Sequence, residues 1–139
     1  MKYEGYIRRQ EKQVEEFEKL ERRRRIALEA AKQCGRGAVP AVEAPVEFSA
    51  LPGLLAGYDR AILLYEGGGV PLRTALEGLP ENGRLALITG SEGGFAPEEA
   101  EVLCKAGAVQ VGLGPRILRC ETAPTAVLAA VMALTGNFE

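Results

Sequence analysis

Histidine and tryptophan are both missing from this 139-residue chain, and it holds only eight aromatic residues and three cysteines. Without histidine there is no Ser-His-Asp or Cys-His catalysis, no His-ligated zinc and no imidazole pH switch. Few aromatics and no tryptophan argue against a base-stacking platform. Cys34, Cys104 and Cys120 form no CxxC pair, and an odd count speaks against a disulfide framework. These thiols suit a reducing cytoplasm. No apolar run approaches the ~20 residues of a membrane span, and the first residues do not resemble a signal peptide. What remains, at 47% hydrophobic and 26% charged, is the composition of one soluble globular domain. Any catalysis must come from carboxylates, arginines, main-chain groups or a bound cofactor.

The formal net charge of −2 hides an uneven distribution. Residues 1–36 carry 11 Lys/Arg against 7 Asp/Glu, whereas residues 37–139 carry 6 against 12. The basic excess is concentrated in Arg22, Arg23, Arg24 and Arg25. Four consecutive arginines on a helix point in nearly all directions, so only some can face one partner. They read either as a solvated face balanced by Glu15, Glu16, Glu18, Glu21 and Glu29, or as a local phosphate-contacting patch. The acidic remainder is a poor general nucleic-acid surface.

From about Arg8 to Cys34 the chain lacks proline and glycine and is rich in good helix formers. Gly35 and Gly37 end this helix, and Pro40 prevents it from resuming. Downstream, AILLY (61–65) and LALIT (85–89) are short apolar runs typical of strands buried on both faces, with VQVGL (109–113) a weaker third. Helical stretches lie between and after them, at 72–79, 97–106 and 122–134. Pro97 followed by Glu98, Glu99 and Glu101 is a good helix start. Residues 43–60 read as loop plus a short helix. Strands alternating with helices predict an α/β domain with a mainly parallel sheet.

In such a sheet ligands bind beyond the carboxyl ends of the strands, and each predicted strand here ends in an unusual loop. Glu66-Gly67-Gly68-Gly69 follows the first, and Gly90-Ser91-Glu92-Gly93-Gly94-Phe95 the second. Gly112-Leu113-Gly114-Pro115-Arg116 follows the third and runs on through Ile117-Leu118-Arg119-Cys120-Glu121-Thr122. Any one of these can be an ordinary turn. Three converging on one edge would make a pocket lined by main-chain donors and acceptors. Phosphate fingerprints do not fit: there is no GxxxxGK[ST], GSEGGF lacks GxGxxG spacing, and Glu66 and Glu92 would repel phosphate. A neutral or cationic ligand fits better. No acidic or histidine cluster has metal-ligand spacing.

The run LITGSEGGFAPEEAEVLCKAGAVQVGLGPRILRCETAPTAVLAAV closely resembles the C-terminal domain of the bacterial 16S ribosomal RNA uridine-N3 methyltransferases, of the SPOUT superfamily. EAAKQCGRGAVP (29–40) and AILLYE (61–66) look like that family too, so the resemblance covers about residues 26–139. It implies a mainly parallel sheet with helices on both faces, closed by a C-terminal trefoil knot that holds S-adenosylmethionine. It implies methyl transfer to a uridine N3 of 16S ribosomal RNA in the cytoplasm, by a homodimer with no membrane attachment. The chain then divides into a basic helical segment, 1–36, and a cofactor-binding methyltransferase domain, 37–139.

Carried over position by position, the resemblance assigns cofactor contacts to Gly90, Glu92, Gly93, Leu113, Gly114, Ile117 and Leu118, with Glu66 closing one side. Arg119 and Glu121 are the candidate catalytic pair. Arg119 is placed to orient a uracil or a phosphate, to stabilise the charge as N3 loses its proton, or else to form an ion pair with Glu121 or Glu92. The base at N3 is left among Glu121, Glu92 and solvent. Thr122 is expected to cap the last helix with its hydroxyl. Leu128, Val131 and Leu134 are expected in the core or in a dimer face. Two departures stand out: Ser91 replaces the family's proline, which is expected to loosen its loop, and no counterpart of the family's N-terminal PUA-like RNA-binding barrel is expected. The alternative is therefore a knotted cofactor-binding and dimerisation module without catalysis of its own. A weaker one is a flavodoxin-like small-ligand protein.

Overall fold

A strand buried on both faces must be apolar on both, and the first two apolar runs meet that condition, the third except at Gln110. In the computed structural model, which describes residues 2–138 and side-chain environments from Gln10 onward, four strands form: β1 (Arg60–Leu64), β2 (Val70–Pro71), β3 (Leu85–Ile88) and β4 (Ala108–Gly112). They make one sheet in the order β2-β4-β1-β3, with every pair parallel. β1 is central. Arg60 lies opposite Leu85 of β3, and Ala61 opposite Ala108 of β4.

Alternation along the strands divides the core in two. Ala61 and Leu63 of β1, Ile88 of β3 and Ala108 of β4 pack with Leu55 and with Ala100 and Leu103 of α4 (Pro97–Lys105). Short helical turns over residues 48–57, including α2 (Leu51–Leu54), cover the same face. On the other face, Ile62 and Val111 pack with Ala75 and Leu76 of α3 (Leu72–Leu76) and with Val127 and Val131 of α5 (Thr122–Leu134). Helices thus cover both faces. Leu63, Leu103 and Ile62 are wholly buried, and each such side chain contributes roughly 1.5–3 kcal/mol by leaving water.

β2 has no forerunner among the apolar runs. Two exposed residues carry no periodicity, and the pairing of Val70 with Val111 depends on a close backbone approach at Gly69. Leu128 and Leu134, expected in a core or dimer face, are exposed at 52% and 39%, so only Val131 of the three enters the core. α4 starts as the acids forecast: Glu99 Oε2 accepts the Ala96 N–H at 2.9 Å, and Pro97 occupies the first turn.

Polar clamps sit at the amino ends of the strands. The Arg60 guanidinium donates to the carbonyls of Ala75 (2.8 Å) and Glu77 (3.1 Å), closing α3. Asp59 Oδ2 accepts the Arg84 N–H at 2.7 Å, and the Arg84 guanidinium lies 4.9 Å from the Tyr58 ring centroid. The carboxyl ends are left for the site.

The chain divides into two compact units, 1–46 and 47–139. The first holds α1 (Lys2–Gln33) and its return segment. α1 ends where glycine is expected to stop it, with the Arg36 N–H bonded to the Ala31 carbonyl at 2.9 Å. Of the four arginines, Arg24 is engaged locally: its Nε donates to the Val42 carbonyl at 3.1 Å and its Nη1 meets Glu21 at 3.2 Å. Lys19 pairs with Glu15 at 2.8 Å and holds that carboxyl below its ordinary range.

Candidate functional site

Because β1, β3 and β4 are parallel, their carboxyl ends lie at one rim, and the three glycine-rich loops leave from it. They enclose a cavity of about 790 Å³. Glu66, Gly90, Glu92, Gly93, Leu113, Gly114, Ile117, Leu118, Arg119 and Glu121 all line it.

The loop after β3 is a tight turn. The Gly94 N–H donates to the Ser91 carbonyl at 2.9 Å, and Gly94 has φ +68°, which a side chain would resist. A Cβ on Gly90 would stand 3.0 Å from Gly94 Cα, so the two arms of the turn nearly touch. The bond uses only the carbonyl of residue 91, which proline also has. The turn therefore closes with Ser91 in place. Gly93 faces open space.

The loops after β1 and β3 meet at Glu66, whose Oε1 would lie 3.5 Å from a Cβ on Gly94. The loop after β4 ends where α5 begins. There the Arg119 carbonyl accepts the N–H groups of Thr122 and Ala123, both at 2.9 Å. This corrects the expected cap: Thr122 is already the first helical residue, and no side chain caps α5. A main-chain carbonyl three residues upstream does the closing instead. Ile117 (75% exposed) and Leu118 (36%) present apolar surface at the cavity wall. Water is a poor neighbour for both, and an apolar ligand surface a good one.

Three carboxylates (Glu66, Glu92, Glu121) and two guanidinium groups (Arg116, Arg119) line the space. The ion pairs among the described residues are Glu15–Lys19, Glu21–Arg24 and Glu101–Lys105, so none of these five groups is paired. The alternative of a structural ion pair from Arg119 to Glu121 or Glu92 thus finds no contact within 4 Å. Phe95, Arg116 and Cys120, members of the predicted loops without an individual role, also line the cavity, as do Tyr65, Thr89 and Ala123, which lie outside those loops. Most sit beside assigned residues. Phe95 carries its own signal, an aromatic side chain directly after paired glycines.

The RNA methyltransferase domain family matches the chain over residues 6–132. That begins 20 residues ahead of the recognisable resemblance, so most of α1 falls within the match. Ribosomal RNA small subunit methyltransferase E of Bacillus subtilis is 38% identical over 118 residues, covering 81% of this chain and 46% of the relative. Among solved structures, a ribosomal RNA small subunit methyltransferase E from Neisseria gonorrhoeae bound to S-adenosyl methionine superposes with TM-score 0.77 at 28% identity. It covers 86% of this chain and 49% of that one. A Legionella pneumophila chain in complex with the bound cofactor SAM gives TM-score 0.77 at 30% identity, covering 87% and 48%. The chain spans about half the length of the curated relatives it matches. With the family's domain matched over most of its length, and the fold shared with two cofactor-bound structures, this chain belongs to the RNA methyltransferase domain family.

Proposed function

We propose that the chain binds S-adenosylmethionine in the rim cavity and directs methyl transfer to N3 of a uridine in 16S ribosomal RNA. The observation that carries this reading is the convergence of three loops, each from a different strand end, on one cavity. The residues fit the cofactor. The cavity's volume lies within the range of small-molecule sites, the open face at Gly93 leaves room for a flat ring, and the unpaired carboxylates suit a sulfonium and an ammonium group. At 4 Å a carboxylate attracts a unit cation by ~1 kcal/mol in water and ~4 kcal/mol near a protein surface.

Gly90, Glu92, Gly93, Leu113, Gly114, Ile117 and Leu118 hold the nucleoside through main-chain groups and apolar contact, with Glu66 closing the side nearest Gly94. When bound, the cofactor supplies an electrophilic methyl carbon. Arg119 stabilises the negative charge that uracil gains as N3 gives up its proton, and Glu121 accepts that proton. The N3 electron pair forms the new N–C bond while the C–S bond breaks and its pair stays on sulfur. Positioning does the rest.

Residues 37–139 form the cofactor-binding domain, and the basic segment 1–36 adds a local contact to RNA phosphates. The strand order is compatible with a trefoil knot: the chain runs from β1 to β2 at one edge and to β3 at the other before β4 inserts between β2 and β1. Leu128 and Leu134 supply apolar surface for a second copy in a homodimer. Ribosomal RNA as substrate places the work in the cytoplasm, and no described helix is long and apolar enough to cross a membrane.

Incubation with small-subunit ribosomal RNA and methyl-labelled cofactor tests the reading. Label in 3-methyluridine supports it. Cofactor binding without incorporation favours the non-catalytic module instead.

A further inference from the structure

β4 is apolar except at Gln110, which stands mid-strand and half-buried. A polar side chain in that position needs partners, and those it has lie 42 residues away in sequence and on α4. Its Nε2 donates to the Gly68 carbonyl at 2.6 Å, and its Oε1 lies 3.9 Å from Cys104 Sγ. The main chain of the same residue meets the same loop. A Cβ on Gly69 would collide with the Gln110 carbonyl and fall 2.8 Å from the Val111 nitrogen. Residues 66–69 are therefore fastened to β4 twice, once by an amide and once by contact that only glycine permits. This loop brings Glu66 and Gly67 to the cavity, whereas Gln110 itself does not line it.

We propose that Gln110 is a positioning residue for the ligand cavity: by bonding the Gly68 carbonyl it fixes the loop that carries Glu66 against the turn at Gly94. The inference rests on the cofactor reading above for what the cavity binds, but the loop's fixation stands apart from it. Gln110 acts through Glu66 and Gly67, so its replacement leaves the cavity walls at 90–94 and 113–121 intact and removes one side of the grip.

The test compares the chain with Gln110→Leu and Gln110→Glu. Leucine fits the apolar strand but cannot donate. Glutamate has the same shape and sets an acceptor against the Gly68 carbonyl. Three readouts are taken: melting temperature, hydrogen exchange at amides 66–69, and affinity for S-adenosylhomocysteine by calorimetry. The expected result is faster exchange confined to 66–69 and at least fivefold weaker binding, with the melting temperature of Gln110→Leu little changed. Unaltered exchange at 66–69 in both variants overturns the proposal, as does affinity within twofold of the parent. Failure of both variants to fold also overturns it, in favour of a core role. Should the parent bind no S-adenosylhomocysteine, the cofactor reading falls, while the exchange data still decide the role of Gln110.

Discussion

Gly90 and Gly94 approach so closely that a methyl group on the first would stand 3.0 Å from Cα and 3.1 Å from the carbonyl carbon of the second. Three residues away in the same turn, Gly93 has nothing within 4 Å of its Cβ position. One loop thus contains a glycine required by packing and another open to the cavity. Gly90→Ala should lower stability by about 1–3 kcal/mol through overpacking. Gly93→Val should leave stability nearly unchanged and weaken S-adenosylhomocysteine at least tenfold. Urea denaturation and calorimetry on both variants check the contrast.

Arg119 has separable main-chain and side-chain parts. Its carbonyl closes α5, and any residue retains that, whereas its guanidinium has no ion-pair partner among the described residues. Arg119→Ala should therefore change stability by no more than about 0.5 kcal/mol. With small-subunit ribosomal RNA as the proposed substrate it should cut turnover tenfold or more while cofactor affinity stays within twofold. Steady-state kinetics beside a thermal melt decides this.

The helix boundary at Arg119 also shows what can be read from sequence. Threonine before an apolar run signals a cap, but the signal does not fix its register to one residue. Glu121 already has helical backbone angles (φ −76°, ψ −30°), so Thr122 lies one position too late. β1, β3 and β4 are legible to within a residue because a strand covered on both faces needs a mostly apolar run, which β4 breaks only at Gln110. β2 is invisible because its two residues pair only where Gly69 lets two backbones meet. The residues assigned to the site sit in the glycine-rich loops at strand ends, a pattern that needs no coordinates. Gln110 cannot be found that way, since a polar residue in a strand points to a partner without saying which.

Of the four consecutive arginines, Arg24 is engaged with Val42 and Glu21, and the other three have no ion pair among the described residues. Changing Arg22, Arg23 and Arg25 to glutamate should weaken RNA association. The slope of log K against log salt should flatten by about 0.7–0.9 for each phosphate that is no longer neutralised. Filter binding across a salt series reads both, and an unchanged slope would make these side chains ordinary solvated surface.

Leu103 has no exposed surface and packs between α4 and the sheet in the cluster that contains Leu63 and Ile88. Leu103→Ala should cost about 2–5 kcal/mol, from the apolar burial removed and the cavity left behind. Urea unfolding with an unchanged m-value would assign that destabilisation to the folded core.

The proposed joint grip of three rim loops on one cofactor is read most directly by backbone amide shifts during titration with S-adenosylhomocysteine. Saturable shifts clustered at 66–69, 90–95 and 112–121, with one ligand per chain, are the predicted result. Shifts confined to a single loop, or none at millimolar ligand, would contradict it.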